Sequence, residues 1–195
     1  MITLSGPKPI IVAVAIGIAL VTQSGTADVK TRADFDKAFD FKQVRTWEWN
    51  PGGAGKVMVA RTPDDDPEVI KRRAEPYIIE AVNAEMPRRG LKLATESGDL
   101  AVTYYLLLTV GAAAQTMGQF LPPVSAWGIP PFSPSTSSLE VIEQGSIVLD
   151  LSAKGQVVWR GVAQAKIQMG LEQEKRVALI REAVREVLKR YPPKK

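Results

Sequence analysis

The chain has 195 residues, of which 45% are hydrophobic and 24% charged, a composition typical of one globular domain. Its formal net charge of +4 is too small to indicate nucleic-acid binding, which requires basic residues clustered on one face. The absence of cysteine and histidine excludes disulfides, thiol nucleophiles, zinc–thiolate sites and every catalytic triad built on histidine. We therefore expect no metal site and no cofactor, and any catalysis would depend on carboxylates, lysine or tyrosine.

The first 27 residues have the three parts of a secretory signal peptide. Lys8 precedes an uninterrupted apolar run, Ile10 to Val21, and small and polar residues follow as far as Ala27. The run is much shorter than the ~20 residues that a membrane-spanning helix needs. We expect cleavage after Ala27 and a mature protein, residues 28–195, in the periplasm or outside the cell. The alternative is a protein anchored in the inner membrane by an uncleaved N-terminal segment.

Two strands are predicted at the start of the mature chain. Residues 29–36 alternate between apolar and charged side chains, and residues 44–50 alternate with Trp47 and Trp49 on one face. Two tryptophans at this spacing suit either stacking on a sugar ring or packing in the core, and core packing is the more common use. The glycine-rich stretch at 52–55 predicts a loop that lacks the spacing of a phosphate-binding loop.

The acidic run Asp64-Asp65-Asp66 has two interpretations. Three consecutive carboxylates are suitable ligands for Ca²⁺ or Mg²⁺. Asp66 followed by Pro67 is also a typical helix start, with the aspartate as N-cap and proline at the first helical position. We favour the cap and predict a helix that runs to about Arg89 and ends at Gly90.

The second half of the chain predicts four strands and a helix. A short strand at 91–94 precedes a long, mostly apolar strand at 102–110, which we expect to be central in its sheet. Residues 139–152 and 157–169 form a predicted hairpin whose turn is residues 153–156, with Gly155 at positive φ and Trp159 facing the core. A helix from Glu172 to Tyr191 is stopped by two prolines.

These elements define the expected fold class, α+β. The order β-β-α-β-β-β-β-α, with neighbours mostly antiparallel, predicts a sheet of about six strands with two helices packed on one face.

Residues 111–138 are the exception, because they have no periodicity and contain five prolines. Such long loops are uncommon in compact domains and tend to be functional or disordered. We expect this segment to carry recognition of another envelope protein, a lipid or a glycan; the alternative is that it folds back over the open sheet face or a strand edge. The candidate binding residues are its large apolar side chains Phe120, Leu121, Trp127, Ile129 and Phe132.

Several segments resemble domain-of-unknown-function family 4136. They are DFKQVRTWEW (40–49), AVNAEMPRRGLKLATESGDLAVTYYL (81–106), GSIVLDLSAKGQVVWRGVA (145–163) and KRYPP (189–193). The resemblance implies a bacterial cell-envelope protein, and many members are lipoproteins. This chain differs from those members because it has no cysteine that could carry a lipid. The resemblance implies no activity and no catalytic residue.

Three functions are compatible with these observations. The first is a non-enzymatic envelope module that binds through residues 111–138. The second is a glycan hydrolase that uses two carboxylates from Glu140, Glu143 and Asp150, which the strand pattern otherwise treats as solvated residues. Glu143 and Asp150 are not assigned to one strand face, because Gly145 is a candidate bulge. The third is a stress-related accessory of envelope integrity without a defined ligand.

Overall fold

The described residues of the computed structural model are 29–60, 66–109, 144–166 and 171–194. The leader expected at residues 1–27 and the segment 111–138 lie outside them. In chain order the elements are β1 (Lys30–Phe35), a short 3-10 helix (Phe41–Gln43), β2 (Thr46–Trp49), β3 (Gly55–Ala60), α1 (Pro67–Arg88), β4 (Lys92–Leu93), β5 (Leu100–Thr109), β6 (Gln144–Ala153), β7 (Gln156–Lys166) and α2 (Gln173–Leu188).

The strands form one seven-stranded sheet in the order β1-β7-β6-β5-β2-β4, with β3 also paired to β5. The α+β class and the element order are therefore confirmed, and β5 is central as expected. The sheet is mixed, because β1, β7, β6 and β5 pair antiparallel whereas β2 and β3 lie parallel to β5. The parallel pairing has a physical reason: the chain passes from β3 to β5 through α1, and a helical crossover returns a strand in the same direction.

Strand β3 is the element that the sequence pattern did not predict. It begins at Gly55, inside the glycine-rich stretch expected to be a loop. A side chain at this position would collide with β5, since an added Cβ would lie 2.3 Å from the Tyr104 ring. Glycine is therefore required for close approach to β5, although it is usually a sign of a turn.

Both helices pack on one face of the sheet, as predicted. Buried residues of α1 and α2 contact buried side chains of the sheet, including Trp47, Tyr104 and Trp159, in one cluster. Helix α2 approaches β7 at Gly161, where an added Cβ would lie 2.5 Å from Val187 Cγ2. Each large apolar side chain buried in this layer contributes about 1.5–3 kcal/mol.

The boundaries of the helices have local causes. Asp66 is the N-cap of α1 and accepts a hydrogen bond from the Glu68 amide at 2.8 Å, which confirms the capping interpretation. Gly90 follows α1 with a φ of 81°. Helix α2 ends at Leu188, three residues before the predicted end at Tyr191. Tyr191 is nevertheless buried. Its ring packs edge-on against that of Trp159, with the ring centroids 5.8 Å apart.

The β6–β7 hairpin has the predicted turn. Lys154 and Gly155 have φ values of 51° and 78°, as a two-residue turn with both central residues in the left-handed region requires. The pairing register is irregular between Leu151 and Ser152, whereas Gly145 is in regular register. The bulge considered at Gly145 is therefore absent, and the irregularity lies near the turn instead.

Candidate functional site

The sheet face opposite α1 and α2, here called the second face, carries an unusual set of buried side chains. Its apolar part is a small cluster separate from the main core, formed by Leu107, Val148 and Val162, with Met58 and Tyr105 packed at its margin. Four polar or charged residues on neighbouring positions of β6 and β7 are also buried. They are Ser146, Asp150, Arg160 and Gln164.

Asp150 and Arg160 are cross-strand partners and form a two-point ion pair. The Arg160 Nε donates to Asp150 Oδ1 and its Nη2 donates to Oδ2, both at 2.6 Å. Only 1% of the Asp150 side chain and 5% of the Arg160 side chain are exposed. The expectation that Asp150 is a solvated strand residue is therefore wrong: alternation does place it opposite the main core, but that face is also buried.

Burial controls the electrostatics of this region. It raises the pKa of Asp150 above its ordinary value, and the hydrogen bonds and charge of Arg160 act in the opposite direction. Burial also raises the pKa of the neighbouring Tyr105 hydroxyl, and the negative charge of Asp150 adds to that effect. Arg160 donates one hydrogen bond to each carboxylate oxygen of Asp150.

Two buried polar atoms of the second face have no hydrogen-bond partner. They are Ser146 Oγ and Gln164 Nε2, which belong to directly paired residues of β6 and β7. An unsatisfied buried polar group costs about 1–3 kcal/mol, so two on adjacent positions require an explanation.

A groove of about 760 Å³ lies at the hairpin-turn end of the sheet. Its charged lining residues are Asp40, Glu48, Asp99 and Lys154. Asp99 accepts hydrogen bonds from the Arg45 amide (2.8 Å), the Thr46 amide (2.9 Å) and the Thr46 hydroxyl (2.9 Å). These bonds lower the pKa of the Asp99 carboxyl. Asp99 therefore connects the starts of β2 and β5 and has a structural role.

The structure describes only some of the residues that the sequence singled out. Phe120, Leu121, Trp127, Ile129 and Phe132 lie outside the described residues.

The carboxylate candidates Glu140 and Glu143 also lie outside them, as do Asp64 and Asp65 of the acidic run. Within the described parts of the chain, no three acidic side chains lie close enough together to hold a metal ion. Neither described helix is long and apolar enough to cross a membrane.

The tryptophan pair belongs to the core. Trp47 is buried on the helix-covered face, and its ring meets that of Trp49 edge-on at 5.6 Å. Trp49 is half-buried, and its Nε1 donates to Asn83 Oδ1 of α1 at 3.1 Å. Neither ring lies open for a sugar, so core packing is the correct interpretation of this pair.

The sequence contained a signal for the ion pair, but a regular hairpin register does not pair its two residues. Asp150 and Arg160 are opposite charges within one hairpin. Counting outward from a two-residue turn pairs Asp150 with Trp159, and only the irregularity at Leu151 and Ser152 shifts the partner to Arg160.

The family model for the domain of unknown function DUF4136 matches residues 31–193. The chain belongs to this family. No curated protein matches the sequence significantly.

Three solved structures are similar to this chain at low identity. A PDZ domain protein from Parabacteroides distasonis is 14% identical with a TM-score of 0.47, and the match covers 87% of this chain and 36% of that one. The chain thus spans about a third of that protein. A DUF4136 family protein from Bacteroides thetaiotaomicron is 19% identical with a TM-score of 0.45, covering 84% of this chain and 96% of that one. The PelC dodecamer from Paraburkholderia phytofirmans is 10% identical with a TM-score of 0.38, covering 82% of this chain and 94% of that one.

Proposed function

We propose that this protein is an exported cell-envelope component that acts as a non-enzymatic binding or accessory module. The observation that carries the proposal is the state of Asp150, which is buried and held by two hydrogen bonds from Arg160. Asp150 is the one member of the proposed hydrolase carboxylates among the described residues, and it is committed to a structural pair.

The alternative of a glycan hydrolase needs two carboxyl groups on either side of a glycosidic bond, separated by about 5–10 Å. One of them must exchange a proton with substrate, whereas Asp150 has 1% of its side chain exposed and is bound to Arg160. This burial favours a binding or accessory role over a hydrolase that uses Asp150. An accessory of envelope integrity without a defined ligand is the third possibility, and it predicts no saturable partner.

Recognition is assigned to residues 111–138. This stretch contains no charged residue and is rich in proline and large apolar side chains. Prolines lower the entropy that the chain loses on binding, and aromatic side chains are common anchors of interfaces. The partner would be another envelope protein, a lipid or a glycan.

Export rests on the pattern of residues 1–27 and is tested by N-terminal sequencing of the protein from a periplasmic fraction. The expected N-terminus is Asp28 or a residue within two positions of it. An intact Met1 in the membrane fraction would contradict cleavage and favour the uncleaved anchor.

Binding is tested by changing the aromatic residues one at a time and measuring partner capture and melting temperature separately. Crosslinking in cells followed by mass spectrometry identifies the partner. We expect Trp127→Ser or Phe132→Ser to reduce the yield of a specific crosslinked partner. The matched control is Leu93→Ser on β4, because Leu93 is the exposed large hydrophobic residue of the described chain, with 57% of its surface accessible. Equal capture by all variants would contradict recognition through this segment.

A further inference from the structure

We propose that the outer edge of β1 is a homodimer interface, at which a second copy of this chain adds its own β1 in antiparallel orientation. The two sheets would then join into one continuous sheet. This surface is separate from the segment assigned to recognition, so dimerisation goes beyond the proposed function and is tested independently of partner binding.

Strand β1 forms one border of the sheet. Within the described parts of the chain its one strand neighbour is β7, with which it pairs in regular antiparallel register from Lys30 to Phe35. The free side of an edge strand presents a row of amide and carbonyl groups, which is a template for addition of another strand. The sequence of β1 (KTRADF) contains no proline, so each of its residues keeps an amide donor.

The pairing of β1 with β7 determines which backbone groups point outward. The Asp36 amide donates to the Val158 carbonyl of β7 at 2.9 Å. Hydrogen-bonded pairs alternate along an antiparallel ladder, so the even-numbered residues of β1 bond to β7. The amides and carbonyls of the odd-numbered residues Thr31, Ala33 and Phe35 therefore point away from β7.

The charges along this strand are self-complementary for a two-fold pairing centred on Ala33. Antiparallel pairing about this residue puts Arg32 opposite Asp34 of the second copy, and Lys30 opposite Asp36 of the second copy. Each base thus meets an acid, whereas a centre at Arg32 or Asp34 would oppose two like charges. The same register makes Ala33 a hydrogen-bonded pair with its own copy, in agreement with the outward direction of its amide.

The faces of the two sheets also match. Ala33 and Phe35 pack against the main core on the helix side, so alternation puts the charged side chains of β1 on the second face. Arg32 Nη2 and Asp34 Oδ2 lie 3.4 Å apart within the strand. In the dimer these two side chains and their copies would form a square in which every neighbour has the opposite charge. Opposite charges on directly paired positions favour the pairing, and like charges oppose it.

Charge reversal tests the interface by sedimentation velocity at protein concentrations from about 10 μM to 1 mM, because one strand contact is too small for a tight dimer. We expect the wild type to be dimeric at the upper end of this range. Lys30→Glu and Asp36→Lys each put like charges opposite one another and should each weaken dimerisation at least about 10-fold. An equimolar mixture of the two variants should form a heterodimer, since opposite charges then meet at both pairs.

The matched control is Lys92→Glu on β4, the exposed strand at the other border of the described sheet, and it should leave dimerisation unchanged. A wild type that stays monomeric at about 1 mM would overturn the proposal. Dimerisation that Lys30→Glu leaves unchanged, or a mixture no more dimeric than its components, would overturn it as well. If Asp36→Lys does not fold, the concentration series and Lys30→Glu still decide.

Amide hydrogen exchange followed by NMR provides a second test at residue level. At equal concentration, the amides of Thr31, Ala33 and Phe35 should exchange about threefold more slowly, or slower still, in the wild type than in Lys30→Glu. The amides of Arg32 and Asp34 should be equally protected in both proteins, because they bond to β7. Equal exchange of the three odd-numbered amides in the two proteins would contradict the dimer, whether it is fast, as for an open edge, or slow, as for an edge covered within one chain.

Discussion

Asp150 and Arg160 face each other across the β6–β7 hairpin, joined by two parallel hydrogen bonds of 2.6 Å on a sheet face that carries no described helix. A buried ion pair adds little stability over a well-packed apolar pair, because both charges lose their hydration. Breaking the pair is different, since the remaining charge is left buried and alone. The pair therefore adds little to the stability of the fold. It strongly disfavours any structure in which one of the two charges is buried without the other.

Arg160→Met should lower the free energy of unfolding by about 3–5 kcal/mol, because Asp150 would remain buried without its partner. The double variant Asp150→Leu, Arg160→Met should lose clearly less than the single one. Urea denaturation measures both. The control is Arg181→Met, which breaks an exposed pair with Glu80 and should cost less than about 1 kcal/mol. Equal losses in the single and double variants would contradict a coupled pair.

Trp159→Ala should destabilise the domain by about 3–5 kcal/mol, as expected for a large buried aromatic residue. Trp159 is fully buried and packs edge-on against Tyr191, which confirms the predicted core position. Thermal and urea unfolding measure the loss. An unchanged melting temperature together with loss of a binding activity would instead make Trp159 a site residue.

Gly161→Ala should cost about 1–3 kcal/mol through overpacking. An added Cβ would lie 2.2 Å from the Trp159 ring and 2.5 Å from Val187. In a Trp159→Phe background the same change should cost less, because the outer ring atoms that it meets are missing, although the contact with Val187 persists. A double-mutant cycle on urea unfolding measures the coupling, and simple additivity would show that the ring does not limit the space.

Asp99→Ala should lower the free energy of unfolding by about 1–2 kcal/mol at neutral pH, a figure reduced for the exposure of the carboxylate. The hydrogen bonds from Arg45 and Thr46 lower the pKa of Asp99 in the folded state. Its stabilisation is therefore present above the unfolded pKa of about 4 and is lost as the pH falls through the folded value.

The stability difference between wild type and Asp99→Ala should accordingly shrink below about pH 4. Urea unfolding between pH 3 and 7 measures it. Asp40→Ala, which removes a single local hydrogen bond to the Lys42 amide, is the control and should have a smaller effect. A difference that grows in acid would contradict the sign of the shift.

Tyr191→Phe should flatten the alkaline stability profile. Burial raises the pKa of Tyr191 to about 12. The folded state thus keeps a proton that the unfolded state loses from about pH 10 upward, so the free energy of unfolding falls as the pH rises from 10 to 12. Removing the hydroxyl should make this fall shallower.

At pH 7 the same change should cost little, because the Tyr191 hydroxyl is buried without a hydrogen-bond partner. Unfolding curves at pH 7, 10 and 11 test both statements. An identical alkaline slope in the variant would mean that Tyr191 does not contribute to it.

The sequence by itself determined the local elements, because their signals lie within a few residues. Asp66 and Pro67 specify the start of α1 through backbone amides one turn away. The alternation around Trp159 and the turn at Gly155 specify the hairpin in the same way.

Only the tertiary structure determined which strands pair and which side chains pack against each face of the sheet. Strand β3 exists because Gly55 allows close approach to Tyr104, a contact between residues far apart in the chain. Its parallel direction follows from the docking of α1. Alternation placed Asp150 opposite the main core, but its pairing with Arg160 depends on the hairpin register and its burial on long-range contacts. Periodicity shows only that the two faces of a strand differ. Whether a face is buried depends on which distant parts of the chain pack against it.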